Sequence, residues 1–282
     1  MIQRVILHAG FHKTGSSSLQ DSLVTHAAAL GPDLRIATRK TSAALARASD
    51  QARSWSITRD AEATAALATA LGDWTGELQL APGQVLLASS EDFAGHMPGG
   101  HGLTDYSAAP AIARALVKAL QTRFGTGLEM QFLYTTRAPE PWLRSIHWQL
   151  ARNPMLGLSA RKFLRRYAKA AEFAPLMAKI RAAVPGTHVT EIPLETLACR
   201  RLGPVEAIYD LAGLDACRRA ALSALPAANS RPPHDLADAF VALNRAGIAA
   251  PVLARMKAAL IAQSAAASGE AGKSLPSPPA PR

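Results

Sequence analysis

The sequence HKTGSSSLQ, residues 12–20, decides the fold of this chain. The apolar run 5–9 precedes it, and an apolar stripe at helical spacing (Leu19, Leu23, Ala27, Leu30) follows it. This order predicts a strand, a tight basic loop and a helix. Such a loop directs backbone N–H groups and a helix N-terminus at one point, where a phosphate or sulfate is readily held. We therefore expect the chain to bind a nucleotide or a close relative of one.

The order of residues in this loop differs from the Walker A pattern, in which the lysine follows the second glycine. Here Lys13 precedes Gly15, and three serines follow that glycine. The order Lys-Thr-Gly-Ser-Ser-Ser resembles the 5′-phosphosulfate loop of sulfotransferases that use 3′-phosphoadenosine 5′-phosphosulfate (PAPS). The longer segment 10–20 resembles the bacterial branch of that superfamily.

A second motif occupies residues 129–145. Residues 129–136 predict a buried strand that ends at Arg137, and the prolines at 139 and 141 predict that a helix starts directly after it. One helix face carries Leu143, Ile146, His147 and Leu150, and the opposite side carries Trp142, Ser145 and Gln149. An arginine fork can bind two phosphate oxygens at once. A strand-end arginine and a helical serine eight positions later resemble the 3′-phosphate site of sulfotransferases.

The resemblance implies a role for each matched residue in metal-independent, in-line sulfuryl transfer. Lys13 would contact the bridging oxygen and support the leaving phosphate, while Arg137 and Ser145 would hold the 3′-phosphate of PAPS and of its product PAP. The backbone from residue 14 to 17 and the hydroxyls of Ser16 and Ser17 would hold the 5′-phosphate. The complete set of loop positions assigned to the cofactor is Lys13, Thr14, Gly15, Ser16, Ser17 and Ser18. The implied acceptor is a hydroxyl or amine, on a carbohydrate or another small molecule.

Sulfuryl transfer also needs a base for the acceptor proton. Glu91 follows the predicted strand 85–89, at the carboxyl end where ligand sites of α/β proteins cluster. Ser89-Ser90-Glu91 also resembles a recurrent turn of the bacterial branch. The alternative reading is that Glu91 only starts a helix with favourable acidic residues. His12, next to Lys13, is the second candidate base, with a structural hydrogen-bonded role as its alternative.

Two further stretches resemble the family more weakly, so that the resemblance spans most of residues 2–250. Residues 189–197, with Glu195, resemble its late strand and acidic turn. Asn229-Ser230 and the segment up to 244–247 resemble its C-terminal part. Glu191 stands where the late strand of the family often carries a basic residue.

The chain of 282 residues is 49% hydrophobic, which is ample for a core. Strand-like segments alternate with helix-like ones, which predicts an α/β fold with a mainly parallel central sheet and helices on both faces, of P-loop-like sulfotransferase architecture. The predicted strands are 4–9, 85–89, 129–136 and 188–193, and the clearest helices are 41–71 and 110–124. We expect a single domain over residues 1–263. The Ala/Ser/Pro-rich tail 264–282 is expected to be disordered, because it has too few large apolar residues to fold.

The formal net charge of +10 raises the question of an anionic partner. Arg161, Lys162, Arg165, Arg166 and Lys169 lie on one face of a predicted helix. We interpret this face as a solvated surface. A first alternative is electrostatic guidance of an anionic acceptor or of PAPS, and a second is contact with a membrane surface. Aromatic residues make up only 5% of the chain and no stacking platform is recognised, so we expect no nucleic-acid partner.

Cys199 and Cys217 are too few for a disulfide framework, and no metal-ligand spacing surrounds them. No apolar segment approaches the roughly 20 residues of a membrane span. Residues 1–4 run straight into the first predicted strand without a signal peptide. We therefore expect a cytoplasmic protein.

Three hypotheses of different class follow. The first is a PAPS-dependent sulfotransferase. The second is an ATP-dependent P-loop phosphotransferase, which predicts a lysine after the second glycine and an acidic Mg²⁺ site; that lysine is absent. The third is a non-catalytic relative that binds PAPS or PAP, and the retained Lys13 counts against it.

Overall fold

Five short strands form one parallel sheet in the computed structural model, which describes residues 4–226 and 236–267. The strands are β1 (Arg4–His8), β2 (Leu34–Thr38), β3 (Val85–Ser89), β4 (Glu129–Thr136) and β5 (His188–Pro193). Their order across the sheet is β2-β3-β1-β4-β5, and every neighbouring pair is parallel. Helices cover both faces of such a sheet, which is why its inner strands read as nearly continuous apolar runs.

Helices connect the strands and cover the sheet. They are α1 (Ser16–His26), α2 (Ala43–Thr58), α3 (Ala61–Glu77), α4 (Ala109–Phe124), α5 (Pro139–Ala151), α6 (Ala160–Arg166), α7 (Phe173–Ala183), α8 (Leu194–Ala198), α9 (Glu206–Ala212), α10 (Ala216–Ala220), α11 (Ala237–Arg245) and α12 (Ala250–Ala267). Short 3₁₀ helices span Glu91–Ala94, Ala168–Ala171 and Gly203–Val205.

The predicted α/β fold with a parallel sheet is confirmed. The observed bounds of β3, β4 and β5 are those predicted, and β1 ends one residue earlier, at His8. No strand was predicted at β2, an edge strand that pairs with β3 alone among the described strands and contains the exposed Arg35.

Residues 41–71 were predicted to be helical, and the segment forms two helices, the second of which continues to Glu77. Arg59 adopts a left-handed conformation (φ 56°) and ends α2. Asp60 then caps α3, its side chain accepting the backbone N–H of Ala63 at 2.8 Å. A short carboxylate that accepts such an N–H favours a new helix start over continuation.

Alternating residues of β4 show how the two faces are filled. Leu133 points into a buried cluster with Ile6 of β1 and Leu19 of α1. Phe132 and Tyr134 point to the other face because strand side chains alternate. There the ring of Tyr134 lies 5.4 Å from that of Phe11, in the loop after β1. The loop is thus anchored in the core below it.

The described residues separate into two compact units, which we call the sheet unit (4–146 and 164–226) and the helical unit (147–163 and 236–267). In the helical unit, the buried Lys257 donates to the carbonyls of Ala151 at 2.9 Å and Arg152 at 3.2 Å and to Asn244 Oδ1 at 2.5 Å. These bonds satisfy carbonyls at the C-terminal end of α5, which lack partners within the helix.

Only some of the predictions about the C-terminal part concern residues that the structure describes. Helix α12 continues to Ala267, past the domain boundary at 263 set from the sequence. Residues 268–282 of the predicted tail lie outside the described residues, and so does the Asn229-Ser230 motif. Within the described ranges, no helix combines the length and the apolar character needed to cross a membrane.

Candidate active site

The candidate site lies at the carboxyl edge of the sheet, where β1 and β4 are neighbours. From β1 the chain runs through α1 to β2 on one side of the sheet, and from β4 it runs to β5 on the other. Ligands of open α/β sheets bind where successive connections diverge in this way. The two predicted motifs, the 12–20 loop and the segment that starts at Arg137, flank this point.

The loop after β1 contains two residues with positive φ, separated by Thr14. Lys13 has a φ of 65°, which is rare for a residue with a Cβ. Gly15 has a φ of 98° and immediately precedes α1. The backbone N–H groups of Ser16 and Ser17 belong to the first turn of α1, where such groups have no carbonyl partner within the helix. They point out of the positive end of the helix dipole, as an anion site requires.

Side chains from the second motif hold both peptide groups that flank Lys13. The indole Nε1 of Trp142, on α5, donates to the carbonyl of His12 at 2.9 Å. The guanidinium of Arg137 donates to the carbonyl of Lys13 at 3.3 Å. A left-handed residue costs roughly 1–2 kcal/mol, so its conformation persists only where its surroundings determine it. These two contacts bring the predicted motifs together and fix the unusual conformation of Lys13.

A chain of buried hydrogen bonds supports the loop from below. Thr14 Oγ1 donates to the carbonyl of Phe11 at 2.5 Å and lies 2.8 Å from Thr135 Oγ1. His8 lies between Thr135 Oγ1, 3.2 Å from Nε2, and Ser89 Oγ, 2.8 Å from Nδ1. Since each hydroxyl has one proton to donate, the hydrogen bonds of this series can run in one donor-to-acceptor direction. Ser89 donates to Nδ1, Nε2–H donates to Thr135, and Thr135 donates to Thr14.

Burial makes His8 a neutral member of this chain. Its side chain is fully buried, and burial lowers the pKa of His8 to about 3. Gly10 lies so close to it that a Cβ at this position would be 2.3 Å from His8 Nε2. A glycine is therefore required where the chain leaves β1 and crosses the imidazole.

His12 is held by a second group of contacts, on the other side of the loop. Its backbone N–H donates to the hydroxyl of Tyr106 at 3.2 Å, and its Nδ1 lies 3.1 Å from the same hydroxyl. Its Nε2 lies 3.2 Å from Asp92 Oδ1. Both ring nitrogens are thus engaged with protein groups.

Asp92 joins the ends of three strands. Asp92 follows β3 and is 5% exposed. It forms an ion pair with Arg39, which follows β2, at 3.0 Å, and it also contacts His12, which follows β1. Burial opposes ionisation of this carboxyl, but the hydrogen bond from His12 and the charges of Arg53 and Arg39 outweigh it and hold the pKa of Asp92 below its ordinary value.

Glu91 lies beside helix α1. It begins the 3₁₀ helix after β3, is half-buried, and its Oε2 accepts from Gln20 Nε2 at 2.6 Å. Gln20 lies one helical turn after Ser16, on the same face of α1. The Glu91 carboxylate is therefore anchored to the helix face on which α1 begins. The hydrogen bond orients the carboxylate through one oxygen.

Other predicted site residues have less direct positions. The hydroxyl of Ser16 donates to the carbonyl of Phe11 at 3.3 Å, so it supports the loop itself. Ser17 and Ser18 are half-exposed on the first turn of α1, and Ser145 is half-buried on α5. Glu195, at the start of α8, accepts the backbone N–H of Ala138 at 2.9 Å and so holds the junction between β4 and α5.

Sequence reasoning missed Tyr106, Asp92 and Trp142 as parts of the site. Trp142 falls among polar positions on the helical pattern, yet it is fully buried and its ring lies 5.1 Å from that of Phe173. A tryptophan on the side of the helix opposite the apolar stripe was the available signal that α5 is buried on two sides.

Similarity to known proteins was found among solved structures. No protein-family model matches the chain, and no curated protein matches it. Among solved structures, the chain is similar to a sulfotransferase from Alicyclobacillus acidocaldarius, at 16% sequence identity and a TM-score of 0.46. The similarity covers 93% of this chain and 92% of that chain.

The neutral, buried state of His8 predicts a loss of stability in acid. The unfolded chain binds a proton at this position below about pH 6.5, and the folded protein does so only near pH 3, so the free energy of unfolding falls as the pH falls between these values. Between pH 7.5 and pH 5, protonation linked to His8 alone should lower the free energy of unfolding by about 2 kcal/mol. We expect urea unfolding of His8→Asn to show a correspondingly smaller loss over the same interval.

The matched control is His188→Asn, which removes an exposed histidine at the start of β5 and should keep the wild-type pH dependence. An equal acid-induced loss in His8→Asn and wild type would contradict the assignment of His8 as the neutral member of the chain.

Proposed function

We propose that this chain is a PAPS-dependent sulfotransferase that acts on a hydroxyl or amine of a carbohydrate or other small molecule. The observation that carries the proposal is the contact between the two motifs. Arg137 reaches the carbonyl of Lys13 across the carboxyl edge of the sheet, so the loop and the strand-end arginine form one cationic, donor-rich site.

The donor set suits a ligand with two separate phosphate groups. Lys13, the first turn of α1 and the Ser17 hydroxyl supply positive charge and N–H or O–H donors on the β1 side. Arg137 supplies a planar fork on the β4 side, with Ser145 further along α5. Under the proposal, the β1 side holds the 5′-phosphate and the β4 side holds the 3′-phosphate.

PAPS, when bound, would supply the sulfuryl group, and its bond to the bridging oxygen would break as PAP leaves with that oxygen. Lys13 would stabilise the negative charge that develops on the bridging oxygen, which is usually the largest single contribution to catalysis. Glu91, oriented by Gln20, takes the proton of the acceptor hydroxyl as the new S–O bond forms. His12 is the weaker candidate base, because both of its ring nitrogens are already engaged.

Calorimetric titration with PAP, AMP and ATP–Mg²⁺ tests the cofactor class. We expect tight, metal-independent binding of PAP and weak binding of AMP, because only PAP engages Arg137. Preference for ATP–Mg²⁺ would favour a P-loop phosphotransferase instead. PAP binding without conversion of labelled PAPS, across a panel of sugars, phenols and amines and with water, would identify a non-catalytic binder.

Replacing Arg137 tests the 3′-phosphate assignment. Arg137→Ala should weaken PAP binding by about 1.5–3 kcal/mol more than it weakens AMP binding, because both ligands lose the support of the loop but only PAP loses the contact to its 3′-phosphate. Arg144→Ala is the matched control, because Arg144 lies on α5, the helix that follows Arg137, and pairs with Glu140 at 2.7 Å. Equal weakening of PAP and AMP by Arg137→Ala would assign the arginine to another part of the ligand.

Replacing Lys13 tests the transfer step. Lys13→Ala should lower kcat by roughly 100-fold or more, because it removes the charge next to the leaving oxygen, while the circular dichroism spectrum stays that of the folded protein. Lys40→Ala, which removes an exposed lysine paired with Asp21 at 2.5 Å, is the control and should keep full activity. A fully active Lys13→Ala variant would exclude this mechanism.

A further inference from the structure

We propose that His12 is a positioning residue, and that Tyr106 and Asp92 hold it as one defined tautomer so that the loop presents Lys13 in its left-handed conformation. The proposal rests on the proposed function where it concerns transfer, and on hydrogen bonding alone where it concerns the tautomer. It assigns the histidine of the HKTG sequence a role other than that of a base.

The polar atoms of His12 are all engaged with side chains of distant segments. Its N–H and Nδ1 face the hydroxyl of Tyr106, its carbonyl accepts from Trp142, and its Nε2 faces Asp92. These partners are 80 to 130 residues away along the sequence. A residue held at every polar atom cannot rotate without breaking several hydrogen bonds. The backbone therefore enters the next residue, Lys13, in a fixed orientation.

Counting protons fixes the tautomer. The Tyr106 oxygen accepts the N–H of His12, so its own proton is available for Nδ1. Burial raises the pKa of Tyr106 well above its ordinary value, so the hydroxyl keeps that proton. The ionised Asp92 can only accept, so Nε2 of His12 carries the imidazole proton and donates it to that carboxylate; Nδ1 of the neutral ring is then an acceptor, and Tyr106 donates to it.

The same arrangement leaves His12 without a lone pair for an acceptor proton. A general base needs an unprotonated nitrogen that faces the substrate. Nδ1 is occupied by the proton of Tyr106, and Nε2 carries a proton of its own. Glu91, the nearer carboxylate to α1, has no such conflict, because Gln20 occupies only one of its oxygens.

Nuclear magnetic resonance of the full chain labelled with ¹⁵N-histidine tests the tautomer without any activity. At pH 8, the His12 imidazole should give the pattern of an Nε2–H tautomer, assigned by its absence from His12→Gln. In Tyr106→Phe, the Nδ1 resonance should shift, because its hydrogen-bond donor is gone. An Nδ1–H tautomer, or an unchanged Nδ1 resonance in Tyr106→Phe, would overturn the proposal.

Two isosteric variants test the effect on transfer, measured as conversion of PAPS to PAP with water or an identified acceptor. His12→Asn places its amide oxygen where Nδ1 lies and keeps the Tyr106 contact. His12→Gln places its amide nitrogen where Nε2 lies and keeps the Asp92 contact. Each should lower kcat about 10-fold while KM and the Kd of PAP change less than about threefold, because the phosphate contacts remain.

The pH dependence separates positioning from proton transfer. Both His12 variants should retain the acid limb of the kcat profile, and Glu91→Gln should lose it. A His12 variant with wild-type kcat, or one that still converts PAPS but without the acid limb, would overturn the proposal. If the wild type converts no PAPS, the proposed function fails, and the tautomer measurement still decides the hydrogen-bonding part.

Tyr209→Phe is the matched control for Tyr106→Phe. Tyr209 makes an equivalent buried contact, 2.9 Å from His26 Nδ1, away from the loop at the other end of α1. Both variants should lower thermal stability, but only Tyr106→Phe should lower kcat. Adding His12→Gln to Tyr106→Phe should cause little further loss, because both remove the same contact.

Discussion

The left-handed conformation of Lys13 is the constraint on which the rest of the site depends. It is unfavourable for a residue with a Cβ, and it is retained because Trp142 and Arg137 bind the carbonyls on either side of it. Both side chains come from the segment that follows β4. The loop after β1 can therefore adopt its shape only once the two central strands are paired and α5 has packed, so the site is a property of the whole sheet.

The two sides of the loop are held by chemically different means. Below it, His8, Thr135 and Thr14 form a neutral chain in which each proton has one possible direction. Beside it, Asp92 binds Arg39 and His12 in a buried charged cluster. A neutral chain avoids placing a charge in the core, where desolvation would be costly. The charged cluster lies closer to the surface, where an ionised carboxylate is easier to keep.

The fold could be predicted from the sequence wherever a strand is covered on both faces. Residues 85–88 form a continuous apolar run within the strand 85–89, and residues 132–134 form the apolar centre of the strand 129–136; the observed bounds of both strands are those predicted. The edge strand β2 contains the exposed Arg35 and lacks such a run. The site was predictable only where a local motif carries it, as at Lys13 and Arg137. Tyr106, Asp92 and Trp142 act through partners far along the chain, and no local pattern records those contacts.

The helices that follow the two motifs pack on opposite faces of the sheet. Leu19 of α1 packs into the cluster on one face, whereas Trp142 of α5 packs against Phe173 on the face that Tyr134 occupies. The two helices therefore start next to the neighbouring strands β1 and β4 and then diverge to the two faces. Under the proposed function, the positive ends of both helices, Lys13 and Arg137 would together favour a ligand with separated negative charges over one with a single phosphate.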